Sequence, residues 1–294
     1  MVRIRVIHAS RLLAVLAAAA LAIALAALVF RSAGTARAAG GSAERAAIQA
    51  AFSFWTPPPM EFELAGGPAG GVAWSAPDVS NGGEETPQPA PRVLIYHTHT
   101  HEAYAQTAED PYEETDPWRT ADPAHSVVRV GEALAALLRA RGVEAVHDLT
   151  DHEEPRLSTA YARSLDTLMS YDQSTFDLRV DLHRDAWDSS LAECAFVDGQ
   201  RTAQLMLLVG NGGDYEVKPD YEANLAFAAR LTERLNGIAE GLCRPVLVKN
   251  GRYNQHVGTP SILVEAGHNL NTLEEALRAM PALAEAICAL LAET

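Results

Sequence analysis

"RVLIYHTHTHEAY", residues 92–104, runs from a short apolar, β-branched segment straight into three histidines and a glutamate. A segment of that length and composition predicts a buried strand. His97, His99, His101 and Glu102 then crowd the turn that follows it. Whether this turn is a site depends on what else the chain brings to the same end of a sheet.

The chain downstream alternates between two periodicities. "SVVRVGEALAALLRARG" (126–142) has helical spacing and closes on a glycine. "VEAVHD" (143–148) is the next expected strand and "STAYARSLDTLMSY" (158–171) the next helix. "FDLRVDLH" (176–183) and "RTAQLMLLVG" (201–210) read as strands, and "DYEANLAFAARLTERLNG" (220–237) as a capped amphipathic helix. "RPVLVK" (244–249) and "SILVEAG" (261–267) are further strands, and "TLEEALRAMPALAEAICALLAE" (272–293) is a closing helix. Strands alternating with helices predict an α/β three-layer sandwich with a mostly parallel central sheet. The domain is expected over residues 91–294.

In a parallel sheet the carboxyl ends of the strands share one edge, where sites gather. Three expected strands end in reactive residues. The first leads into the histidine run, another into Asp181, His183, Arg184 and Asp185, and the last into Glu265 and His268. Imidazoles and carboxylates at one edge suit zinc, which takes three protein ligands and one open position in catalytic sites. His99 and Glu102 have H-x-x-E spacing, so one short turn offers a nitrogen and an oxygen, and His183 completes the trio. Glu265, ending a different strand, is the expected general acid/base. Asp181 shares a strand face with His183 and is expected to orient it. Arg184 is expected to meet a substrate carboxylate or a developing oxyanion, and Asn269 and Asn271 to meet substrate amides. His125, His147, His152 and His256 are expected to be structural or exposed. No GxGxxG, G-x-S-x-G or CxxC motif supports nucleotide, serine-triad or redox chemistry.

Upstream the composition changes. Residues 32–90 are rich in Ala, Gly, Pro and Ser and predict a flexible tether. "LLAVLAAAALAIALAALVF" (12–30) is uncharged and, at about 1.5 Å per residue, long enough to span a bilayer. Arg3, Arg5 and Arg11 precede it, which predicts a cytoplasmic tip, a transmembrane anchor over residues 1–31 and an exported body. "ARA" at 36–38 resembles a signal-peptidase site and leaves cleavage as the alternative. Of 23 basic residues, 5 precede residue 40, so the rest of the chain sets 18 against 38 acidic residues, a net −20. Such a body does not bind nucleic acid by charge. Cys194, Cys243 and Cys288 are an odd number for an exported chain and are read as small buried hydrophobes.

"VLIYHTHTHEAY", "VVRVGEAL", "VDLHRDA", "YEANLAFAARL" and "YNQHVGTPSILVEAGHNLNTLEEA", in this order over about residues 91–292, resemble the stage II sporulation protein P family. The resemblance implies an exported, membrane-anchored zinc enzyme of the N-acetylmuramoyl-L-alanine amidase type. It would act on peptidoglycan while one membrane engulfs the forespore. Cross-link endopeptidase activity and action with stage II sporulation proteins D and M are also implied. Carried over by motif, the resemblance puts metal ligands at His99, Glu102 and His183 and the catalytic glutamate at Glu265. Thr or Ser is expected where this chain has His101, so the first-segment ligand stays open among His97, His99 and His101, with His99 favoured by its spacing to Glu102. A zinc carboxypeptidase, with Arg184 or Arg252 receiving a terminal carboxylate, and a catalytically dead wall-binding scaffold are the rival readings.

Overall fold

The computed structural model describes residues 89–186 and 193–293. The expected anchor and most of the expected tether lie outside the described residues. Among the described residues, no helix is long and apolar enough to cross a membrane.

Six strands form the main sheet: β1 (Arg92–Tyr96), β2 (Glu144–His147), β3 (Leu178–Asp185), β6 (Leu205–Gly210), β7 (Leu247–Lys249) and β8 (Ser261–His268), in the order β2-β1-β3-β8-β6-β7. Neighbours run parallel except β6 and β8, which are antiparallel. The sheet is therefore mostly parallel, and β1, β3 and β8 lie side by side with their carboxyl ends at one edge. This juxtaposition brings the three reactive segments together.

Two strands, β4 (Cys194–Val197) and β5 (Gln200–Ala203), form a separate antiparallel hairpin. The expected single strand over 201–210 is thus two elements, β5 and β6, separated at Gln204. The turn of the hairpin is Asp198-Gly199, both at positive φ (51° and 75°). Asp-Gly between two strands is a strong hairpin signal, and it stands in the sequence. The expected strand over 244–249 shortens to Leu247–Lys249, at the exposed edge of the sheet.

The helices α1 (Val127–Arg139), α2 (Ala160–Ser170), α3 (Tyr221–Ile238) and α4 (Leu273–Leu291) have identifiable starts. Ser126 caps α1 by accepting from the Val128 N–H, and Asp220 caps α3 by accepting from Ala223. Thr272 and Glu275 form a reciprocal capping box on α4, whose chain continues through Pro281. Val127, Val130, Leu134 and Leu138 put one apolar stripe of α1 into the core.

The period-2 alternation of β3 and β8 decides which residues face the chemistry. Val180 and Leu182 of β3, with Ile262, Val264 and Ala266 of β8, join one large core with α1, α3 and α4. Leu94 and Tyr96 of β1 point the other way, against Leu168 of α2 and Phe176. Asp181, His183 and Glu265 occupy the alternate positions of their strands, so they share this second face. Helices therefore cover both faces, as a three-layer sandwich requires, but three lie on one side and one on the other.

Candidate active site

The histidine run divides in three directions. His97 is fully buried; its Nδ1 donates to the Leu182 carbonyl at 2.8 Å, and its Nε2 lies 2.8 Å from His147 Nε2. Since a carbonyl only accepts, a neutral His97 must accept from His147 on Nε2. Burial, reinforced by His147, lowers the His97 pKa to about 3. Both nitrogens are used. His101 turns outward to Asp151, Nε2 to Oδ2 2.8 Å, with its Nδ1 3.6 Å from Glu153. His99 lies between them. Its ring meets His183 edge to face with centroids 5.3 Å apart, and its buried Nδ1 has no hydrogen-bond partner.

His183 is flanked by carboxylates. Its Nδ1 is 3.3 Å from Glu102 Oε2, and its Nε2 is 2.8 Å from Asp181 Oδ1. The Nε2 contact with Asp181 is a buried ion pair at 2.8 Å. Burial opposes charge on the imidazole, yet Asp181 and Glu102 outweigh it and hold the His183 pKa well above its usual value. Conversely, burial would raise Glu102, but His183, Arg184 and His99 pull it down to about 2. Asp181 is itself fixed by the Thr98 N–H at 2.8 Å and the Thr98 hydroxyl at 2.7 Å.

Glu265 sits beside His183 in the parallel register of β3 and β8. Its Oε2 is buried without a hydrogen-bond partner. Burial, with the nearby Glu102 and Asp185 charges, raises its pKa to about 8 against the opposing pull of His183 and Arg184. A carboxyl poised near neutrality beside an imidazole and a second carboxylate can take and return a proton.

Two residues expected to meet substrate have internal partners. The Arg184 guanidinium is buried and donates from Nε to the Ala103 carbonyl (2.8 Å) and from one terminal nitrogen to the Trp118 carbonyl (3.0 Å), pinning the segment after β1, and its charge acts to lower the Glu102 and Glu265 pKa values. Its backbone N–H donates to Glu102 Oε2 at 3.1 Å. Asn271 is likewise internal: its amide donates to Glu193 O and Glu275 Oε2, and its Oδ1 accepts from the His268 N–H. A long polar side chain after a strand is consumed by loop carbonyls that no motif announces. Asn269 is buried too. His152, bonded to His97 O and Thr167, and His125, paired with Asp110, are structural as expected. The three cysteines are free thiols.

Residues absent from the sequence expectation border the site. Tyr161 of α2 meets His99 edge to face at 5.6 Å and Tyr253 at 5.8 Å. Tyr253 and Asn254 have positive φ (47° and 52°). A Cβ at Gly251 would come within 2.6 Å of the Tyr253 ring, so that glycine makes room for the aromatic. Glu153, on the loop after β2, faces His99, His101 and Arg119.

The donor set fits zinc in chemistry and in part in spacing. Two ligands bound at 2.0–2.1 Å with tetrahedral angles stand about 3.3 Å apart, and His183 Nδ1 and Glu102 Oε2 have that separation. The carboxylate on the far ring nitrogen is the usual support of a metal-bound imidazole. Among the described residues, however, no three His, Cys, Asp or Glu side chains already form a cage; His99 stands beside the pair through its ring contact with His183.

The family model for stage II sporulation protein P matches residues 67–288. The chain belongs to the stage II sporulation protein P family. The stage II sporulation protein P of Bacillus subtilis (strain 168) is 28% identical over 210 residues, covering 66% of this chain and 49% of that protein. The chain therefore spans about half the length of this curated relative. Among solved structures, an N-acetylmuramoyl-L-alanine amidase from Clostridium difficile 630 has 12% identity and a TM-score of 0.42, covering 70% of this chain and 98% of that one. The CwlD amidase of Clostridioides difficile, solved with the GerS lipoprotein, has 12% identity and a TM-score of 0.46, covering 69% and 100%. Both likenesses are remote, and the stage II sporulation protein P assignment rests on the sequence match.

Proposed function

We propose that this chain is a zinc-dependent peptidoglycan hydrolase of sporulation that cleaves the N-acetylmuramoyl-L-alanine amide bond. The observation that carries the reading is the meeting of His99, Glu102, His183 and Glu265 on one sheet face, in a stage II sporulation protein P chain. His99, Glu102 and His183 would hold the metal. Bound zinc supplies the Lewis acidity that makes water a nucleophile near neutral pH.

The chain's own groups do the rest. Asp181, held by Thr98, keeps the His183 ring oriented with Nδ1 turned toward Glu102, where both would meet the metal. Glu265 takes the proton of the attacking water and returns it to the amide nitrogen as the bond breaks. A carboxyl whose pKa lies at about 8 is readily reprotonated at neutral pH, which suits the second half of that cycle. Tyr161 of α2 packs edge to face against both His99 and Tyr253 at the border of the site.

The carboxypeptidase alternative would draw its cation for a terminal carboxylate from Arg184, which donates to the Ala103 and Trp118 carbonyls, or from Arg252, which lies over the Tyr215 ring at 4.6 Å. By family membership we further propose cell-wall peptidoglycan as substrate, stage II sporulation proteins D and M as partners, and residues 1–31 as a single-pass anchor that leaves the catalytic domain outside. Mass spectrometry of purified sacculi digested by the full chain, with and without chelator, tests the reaction. A free lactyl group on the sugar and restoration by zinc are expected. Release of a C-terminal amino acid instead overturns the amidase reading, and no product at full zinc occupancy favours the scaffold.

A further inference from the structure

The two imidazoles of the site are not supported alike. His183 has a carboxylate on each side, Glu102 at Nδ1 and Asp181 at Nε2. His99 has a buried Nδ1 without a hydrogen bond, and Glu153 Oε1 lies 3.7 Å from it. The other nearby carboxylates are committed: Asp181 to Thr98 and His183, Glu102 to the Arg184 N–H and His183.

Glu153 is held in place from several directions. Its side chain is 5% exposed. Its Oε1 accepts from the His101 N–H at 3.2 Å, its Oε2 pairs with Arg119, and its own N–H donates to Asp151 Oδ1 at 2.9 Å. Asp151 in turn accepts from the Thr100 hydroxyl at 2.7 Å and lies 2.8 Å from His101 Nε2. The loop after β2 is thus bound to Thr100 and His101 after His99 and, through His152 Nδ1 on the His97 carbonyl, to the chain before it. A buried carboxylate fixed this firmly and facing one ring nitrogen selects the tautomer with hydrogen on that nitrogen.

We propose that Glu153 is the positioning residue for His99: it holds the ring as the Nδ1–H tautomer and so presents the Nε2 lone pair to a divalent cation. The proposal rests on the zinc reading above for the identity of the cation. It gives His101 a role as well, as a member of the brace that carries Glu153.

The test uses the full chain labelled with 15N-histidine and reads two quantities. In metal-free protein, long-range 15N–1H spectra report the His99 tautomer, its signals assigned by loss in His99→Gln. Zinc affinity is measured by competition with a chromophoric chelator. The wild-type protein is expected to show Nδ1–H at His99. Glu153→Ala is expected to shift His99 toward the Nε2–H form and to weaken zinc about 10–100-fold, with Glu153→Gln intermediate. If Glu153→Ala does not fold, Glu153→Gln alone decides by the same readouts. An unchanged His99 tautomer in a folded Glu153 variant overturns the proposal, even if zinc binding weakens, because the loss is then merely structural. A wild-type chain that binds no zinc overturns the zinc reading instead, and the tautomer measurement still decides whether Glu153 governs His99.

Discussion

His183 and Glu265 are register partners on neighbouring parallel strands, β3 and β8, so their side chains leave the sheet side by side on the same face. Strand spacing of about 4.8 Å makes this a rigid relationship, because neither residue can move without breaking the ladder. It also explains their electrostatics. The buried Glu265 carboxyl is kept partly protonated by desolvation, while the imidazole next to it is kept cationic by Asp181 and Glu102.

Glu265→Gln should retain the fold and bound zinc but lose hydrolysis by about 10²–10⁴-fold. Glutamine keeps the shape and cannot exchange a proton. Metal content, thermal melting and muropeptide release on one preparation check this. Near-normal release with zinc bound would remove Glu265 from the mechanism; loss of zinc would make it a ligand.

His183→Ala and His99→Ala should each cost most of the zinc affinity, whereas His101→Ala should retain zinc and melt slightly lower. The reason is that His101 is turned to Asp151 and Glu153. Equilibrium dialysis followed by elemental analysis gives the answer. Zinc loss in His101→Ala with full zinc in His99→Ala would reverse the assignment.

Stability should fall as pH drops below about 6.5. His97 has a folded pKa of about 3 against an unfolded value near 6.5. Between these values the unfolded chain binds a proton that the native state refuses, so the unfolded state gains and stability decreases with falling pH. The slope is about 1.4 kcal/mol per pH unit for this group, and His147, lowered to about 4, acts in the same direction. Urea melts of the metal-free protein between pH 7 and 5 measure it. His97→Gln should be less stable at pH 7 but should show a flatter dependence; an unchanged slope would acquit His97.

Gly131→Ala should destabilise, although alanine ordinarily favours a helix by about 1 kcal/mol. A Cβ there would meet His97 Nε2 at 2.5 Å and His147 Nε2 at 2.7 Å. The close approach of α1 to the histidine pair requires a residue without a side chain. A loss of about 1–3 kcal/mol is expected, measured by chemical denaturation, and a gain in stability would sink the packing argument.

The α/β order, the limits of the main helices and the meeting of β1, β3 and β8 were legible in the sequence because burial imposes periodicity. In "LRVDLHRD" the alternation already separates Val180 and Leu182 from Asp181 and His183. The hairpin of β4 and β5 was not expected, although Asp198-Gly199 stands in the sequence, because the apolar run after it obscured the break at Gln204.

The order of amino acids alone establishes which residues share a face and which strand ends carry imidazoles and carboxylates. H-x-x-E spacing set His99 beside Glu102, and strand alternation set His183 with Asp181. How each polar atom is satisfied depends on the packed fold. His97, His99 and His101 are equivalent in the sequence; they differ because His97 meets Leu182 and His147, His101 meets Asp151, and His99 Nδ1 meets no hydrogen-bond partner. Arg184 carries a charge that the sequence shows, but only the fold supplies the Ala103 and Trp118 carbonyls that fix its guanidinium. Periodicity records the average burial of a position along one element. Hydrogen-bond satisfaction depends on single atoms supplied by distant loops, and a buried donor or acceptor is fixed by whichever of them arrives.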